Sequence, residues 1–129
     1  MAGKLVKTIR EAIELSGLKS GMSVSFHHHL RNGDYTLNMV MDVIASMGIR
    51  DLTLNASSLF DTHLPLAEHI KNHVVTKIQT DYISAPLGRE ISRGIMEGPV
   101  QFRAHGGRPS EVMLGRTPID VAFGAAPTA

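Results

Sequence analysis

Short β-branched or alternating runs separated by helix-patterned segments recur along the whole chain, and that alternation limits the possible folds more than any other feature. Met22-Ser23-Val24-Ser25-Phe26, Asp51-Leu52-Thr53-Leu54, Val74 to Gln79, Pro99 to Phe102 and Ile119 to Phe123 read as strands. Leu5, Val6, Ile9, Ile13 and Leu15 recur at helical spacing before Gly17, which suits a left-handed helix stop. Thr36 is placed to cap a second helix carrying Leu37, Val40, Met41 and Ile44, ended by Gly48. Leu66, Ala67 and Ile70 behind Pro65 mark a third, Gly88 to Glu97 a fourth, and Glu111 to Leu114 a further helical turn. Strands alternating with helices predict the α/β class: a mostly parallel sheet of about four or five strands flanked by helices. Low-complexity stretches, internal repeats and a Pro/Ser-rich linker are absent from the 129 residues. Residues 1–129 therefore read as one unit.

Composition removes several function classes. Lys and Arg number 13 against 12 Asp and Glu, a net charge of +1, without the basic excess expected of a protein held to nucleic acid or membrane by bulk charge. No cysteine is present, which excludes a disulfide framework, a thiol nucleophile and a thiolate zinc site. The apolar runs fall short of the ~20 residues of a membrane span. Met1 to Leu18 carries charges throughout its apolar pattern, unlike a signal peptide. A soluble, intracellular protein in the cytoplasm is expected.

Three constellations have chemical potential. His27-His28-His29 follow the first strand and precede Arg31-Asn32-Gly33-Asp34. Side chains of adjacent residues on an extended segment point to opposite sides, so convergence of three or four metal ligands is disfavoured and no metal site is assigned. The position is more informative, because ligands of open α/β sheets bind beyond the carboxyl ends of the strands. Backbone amides of this loop are suited to a carbonyl oxygen or an anion; a loop whose histidines merely pack is the alternative. His63, His69 and His73 form the second group. His69 and His73 are a helical turn apart, but Glu68 precedes His69 where a zinc-peptidase motif needs glutamate after it, so a solvated helix face is favoured. The third is Phe102-Arg103-Ala104-His105-Gly106-Gly107-Arg108-Pro109, in which two glycines permit close backbone approach and two arginines suit phosphate or carboxylate. A tight surface turn with solvated arginines fits that composition equally well. No Walker loop, dinucleotide fingerprint or Gly-x-Ser-x-Gly elbow occurs.

Several strings together resemble one family. Ser25-Phe26-His27-His28-His29 with Arg31-Asn32-Gly33-Asp34-Tyr35 resembles the first strand and loop of citrate lyase alpha subunits, within the broader class I CoA-transferase-like family. The similarity continues through Ala56 to Phe60, Thr80 to Ser84, Gly88 to Gly94, Pro99 to Arg103, His105 to Arg108 and Ile119 to Phe123. Ser110 to Thr117 is less typical.

The resemblance implies the amino-terminal part of a CoA-transferase-like domain of the NagB/RpiA-like type. It implies an acyl transferase that exchanges acetyl for citrate on an acyl-carrier-protein thioester, with beta (lyase) and gamma (acyl carrier) subunits as partners in an oligomer. The CoA-derived arm of the carrier is then the acyl carrier, and the chain itself binds no cofactor. Class I CoA transferases use a glutamyl thioester whose glutamate lies in a later Ser-Glu-Asn-Gly-like segment. That string is absent here, and Glu90 and the other glutamates match no such motif, so no catalytic nucleophile is assigned. Candidate substrate-binding residues are His28, His29, Asn32, Gly33, His105, Gly106, Gly107 and Arg108. A chain lacking the later half is expected to expose an apolar sheet edge or face, to be marginally stable or self-associating, and to be inactive alone. A noncatalytic module binding the thioester arm or another subunit is the rival reading, with a histidine–metal hydrolase behind it.

Overall fold

Every predicted strand segment contributes to one sheet in the computed structural model, which describes residues 3–27 and 31–126. The strands are β1 (Ser23–His27), β2 (Leu52–Ala56), β3 (Val75–Thr80), β4 (Val100–Phe102) and β5 (Val121–Gly124). Their order is β4-β3-β2-β1-β5 and every pairing is parallel. The helices are α1 (Ile9–Ser16), α2 (Thr36–Ser46), α3 (Leu66–Lys71), α4 (Ala85–Glu90), which runs on into a π turn at Ile91–Ile95, and α5 (Gly107–Met113).

The strand order decides where the helices lie. From β1 to β4 each connection steps one strand in the same direction, so right-handed crossovers put α2, α3 and α4 on one face. The β4–β5 connection returns across the sheet and puts α5 on the other. Alternation along the strands matches this division. Val24, Phe26, Leu52, Leu54, Ala56 and Ile78 are buried with Ile13, Leu37, Met41, Ile44, Ile70 and Leu87 in one core. The intervening positions form a polar row in register across four strands: Ser25 opposite Asn55, Asn55 opposite Gln79, Gln79 opposite Gln101. Asn55 Nδ2 donates to Gln79 Oε1 at 3.2 Å, and Gln79 Nε2 donates to Gln101 Oε1 at 3.0 Å. This row presents side-chain amides, which tolerate water as a row of leucines would not, while the edge strand β4 exposes an apolar side chain, Phe102, at 63%.

Local chemistry moves several boundaries. Thr8 Oγ1 accepts from the Glu11 N–H at 3.1 Å, so α1 begins only at Ile9. Leu5 and Leu15 are 96% and 73% exposed and lie outside the core. Gly17 ends α1 at φ 76°, a conformation that a Cβ penalises. Thr36 is the first residue of α2, not its cap; Asp34 Oδ1 accepts the Thr36 N–H at 2.9 Å instead. The fourth helix begins at Ala85, not Gly88, with Pro86 in its first turn. The turn expected at Glu111 is the end of α5, which begins at Gly107.

Leu54→Ala removes a fully buried side chain at the centre of the sheet and is expected to cost about 2–5 kcal/mol of stability. Met113→Ala, at 87% exposure, is expected to cost under about 0.5 kcal/mol. Urea unfolding of both variants checks the contrast.

Candidate functional site

Parallel strands end together, so the segments that follow β1, β2 and β4 meet at one edge. There they enclose a pocket of about 290 Å³ lined by His27, Arg31, Ser57, Ser58, Phe60 and His105. His27 is the last residue of β1, and Ser57 and Ser58 directly follow β2. Arg31 opens a short 3-10 turn, Arg31–Gly33, at φ 52°, a left-handed backbone that costs a residue other than glycine roughly 1–2 kcal/mol. The Asp34 N–H closes that turn on the Arg31 carbonyl at 3.0 Å. A guanidinium, two imidazoles and two hydroxyls around so small a volume form a donor-rich cavity suited to an anion with several oxygens.

A buried histidine fastens two of these loops together. The Phe60 N–H donates to His63 Nδ1 at 2.9 Å, so Nε2 carries the ring proton and donates to the Asp34 carbonyl at 3.1 Å. His63 thereby ties the loop after β2 to the loop after β1 and sets Phe60 against the pocket. Burial lowers its pKa from the ordinary value, against the opposing hydrogen bond and charge of Asp34. A second tie runs alongside, from Asn38 Nδ2 of α2 to the Thr62 carbonyl at 2.8 Å.

Arg108 faces the sheet. Its Nε donates to Asn55 Oδ1 at 3.1 Å and its Nη2 to Ser25 Oγ at 2.7 Å, which fastens α5 to the polar row. Burial lowers the Arg108 pKa, and the nearby negative charge of Asp81 opposes that effect. Just before α5, His105 Nδ1 lies 2.7 Å from Asp81 Oδ2, immediately beyond β3. Along α5, Pro109, Val112 and Met113 form one wall of a wider apolar groove against Ile119 and Phe123.

Of the residues singled out from the sequence, His105 lines the pocket, whereas Arg108 bonds to the polar row and lines the wider groove. Asn32 and Gly33 are exposed and line no part of it; Asn32 Oδ1 instead faces the Thr62 N–H at 3.5 Å. Gly106 and Gly107 open α5, neither with positive φ, and a Cβ at either would meet nothing within 4 Å. His28 and His29 lie outside the described residues. His27 and Arg31 belong to the first constellation, but they and Ser57 and Ser58 are outside the candidate substrate-binding set; their shared signal is a place at or shortly after the carboxyl end of a strand. His63, His69 and His73 do not converge. His63 is the buried tie, His69 pairs with Asp42 at 2.9 Å, and His73 pairs with Glu97 at 2.8 Å. His73 also lies beyond the end of α3 at φ 60°, so the expected shared helix face does not form.

Because the His63 pKa is lower in the folded state, its contribution to stability is complete above the ordinary value of 6.5 and is lost as the pH falls below it toward the folded value. The stability difference between the wild type and His63→Ala is therefore expected to shrink between pH 7.5 and pH 5. Thermal unfolding of both proteins across that range measures it, and a constant difference contradicts the assignment.

Comparison with known proteins agrees with this architecture. Residues 2–129 match the family described as Citrate lyase, alpha subunit (CitF). The citrate lyase alpha chain of Escherichia coli is 55% identical over 97% of this chain, and that of Haemophilus influenzae 53% identical over 93%. A crystal structure assigned as the alpha subunit of citrate lyase from Streptococcus mutans, in complex with citrate, superposes with a TM-score of 0.94 at 52% identity over 96% of this chain. The chain spans about a quarter of the length of these relatives (24% of each). No described helix is long and apolar enough to cross a membrane. The chain belongs to the citrate lyase alpha subunit family.

Proposed function

We propose that this chain supplies the citrate-holding side of an acyl transferase acting in the cytoplasm, in which citrate replaces acetate on the thioester of an acyl carrier protein. One observation carries the reading: His27, Arg31 and His105 converge with Ser57 and Ser58 on a pocket of about 290 Å³ at the carboxyl ends of three parallel strands. Citrate is a small tricarboxylate, and its recognition calls for several donors at close quarters with at least one fixed positive charge. Arg31 is suited to a two-pronged hydrogen bond to one carboxylate. The histidines and serines then hold a second carboxylate and the hydroxyl group, leaving one carboxylate to react. The relative from Streptococcus mutans, solved with citrate, supports the choice of anion.

In the exchange, the bond between the carrier sulfur and the acetyl carbon breaks, one citrate carboxylate gives an oxygen to the acetyl group, and its carbon takes the sulfur, so citryl-carrier protein and acetate form with no net oxidation. The acyl group arrives on the CoA-derived arm of the carrier, and the chain needs no cofactor of its own for this work. No glutamate lines the pocket among the described residues. This chain therefore binds and orients citrate, and the covalent step belongs to a carboxylate outside this site. The beta and gamma subunits of a citrate lyase complex are the expected partners.

Arg31→Ala is expected to weaken citrate binding by about 1.5–3 kcal/mol, the range for a hydrogen bond to a charged group, or roughly ten- to a hundredfold in Kd. Asn32→Ala, outside the pocket, is expected to change it less than about threefold. Isothermal titration with citrate measures both. Equal losses at the two positions, or no binding by the wild type, contradict the reading.

A further inference from the structure

We propose that Asp81 is a positioning residue: it accepts from His105 Nδ1–H, so that Nε2 of the neutral ring is held toward the ligand as an acceptor for its hydroxyl group, an inference that rests on the reading of the pocket as a citrate site. The Asp81 side chain is only 6% exposed, whereas that of His105 is 75% exposed. Asp81 Oδ2 meets His105 Nδ1 at 2.7 Å. Asp81 Oδ1 is buried and has no hydrogen-bond partner among the described residues. Burying a carboxylate is unfavourable unless its oxygens are satisfied. Among the described residues the side chain's one hydrogen bond runs to an exposed imidazole, a contact too solvated to repay that burial. The charge of Asp81 also favours the half-buried Arg108 cation, and its hydrogen bond falls on His105.

An exposed histidine on a loop otherwise samples several ring orientations and both neutral tautomers. A carboxylate accepting from Nδ1–H selects one of each, as the partner of a ligating or catalytic histidine does. His105 needs such help more than its neighbours, because its backbone leaves β4 through a loop before α5 begins. His27 is fixed by the strand that carries it, and Ser57 and Ser58 follow β2 directly. Asp81 is itself well anchored: its N–H donates to the Ser57 carbonyl at 3.3 Å, which ties the loop after β3 to the loop after β2. The carboxylate thus carries the order of the central strands out to the one pocket residue that arrives from the far side of the sheet.

The test combines a spectroscopic readout with a double-mutant cycle, in the full chain. Ring ¹⁵N shifts of neutral His105 are expected to report the Nδ1–H tautomer in the wild type and a mixture in Asp81→Ala, with Asp81→Asn restoring part of the wild-type pattern because its amide oxygen still accepts. Asp81→Ala is expected to weaken citrate binding about tenfold when His105 is present, within the coupling range of residues in contact. In a His105→Ala background the same change is expected to have almost no effect. An unchanged tautomer in Asp81→Ala, or an equal loss of affinity in both backgrounds, overturns the proposal. If the wild type fails to bind citrate, the functional reading falls, and the tautomer alone decides whether Asp81 positions the ring.

Discussion

Parallel strands cannot be joined by tight turns, and the architecture follows from that constraint. Each crossover needs a helix, and the right-handed rule assigns that helix to a face once the strand order is known. Three successive steps from β1 to β4 load α2, α3 and α4 onto one face, where the apolar sides of the strands meet them. The single return from β4 to β5 leaves α5 alone on the other. Arg108 holds α5 there by two hydrogen bonds, to Ser25 and Asn55. The same parallelism brings the carboxyl ends of the strands to one edge, and the pocket is made of what ends or follows β1, β2 and β4.

The two faces obey different physics. The apolar face is held by burial of residues such as Phe26, Leu54 and Ile78, each worth roughly 1.5–3 kcal/mol on transfer from water. The polar face is held by cross-strand amide bonds in register, Asn55 to Gln79 to Gln101, each contributing about 0.5–1.5 kcal/mol net. Its side chains can meet water or a polar partner without a large desolvation cost. Near the pocket the pattern changes again: His63 is a buried polar group that fastens two loops, and the Asp81 side chain meets the His105 ring.

Much of the fold was legible in the sequence because its signals are local. The alternation in Met22 to Phe26, the β-branched run at Val74, the spacing of Leu37, Val40, Met41 and Ile44, and Gly17 as a helix stop all act within a few residues. Where a side chain from outside the element decides the boundary, the local signal misleads. Asp34 displaces Thr36 as the cap of α2. Leu5 and Leu15 share helical spacing with Ile13, yet only Ile13 reaches the core. The site was less legible for the same reason. His27 with Arg31, Ser57 with Ser58, and His105 come from three separate stretches of the sequence and meet only through strand order. The conspicuous glycines at 106 and 107 begin a helix, and the helical spacing of His69 and His73 is lost because α3 ends at Lys71.

The account rests on the claim that the pocket at the ends of β1, β2 and β4 is where a small polycarboxylate is held. Titrating citrate into isotopically labelled protein and mapping the chemical-shift changes residue by residue tests this most directly. The predicted result is a saturable set of shifts centred on His27, Arg31, Ser57, Ser58 and His105, with Val112 and Met113 on α5 unmoved. Shifts centred on the groove between α5 and β5, or on the amide ladder at Gln79 and Gln101, would contradict it.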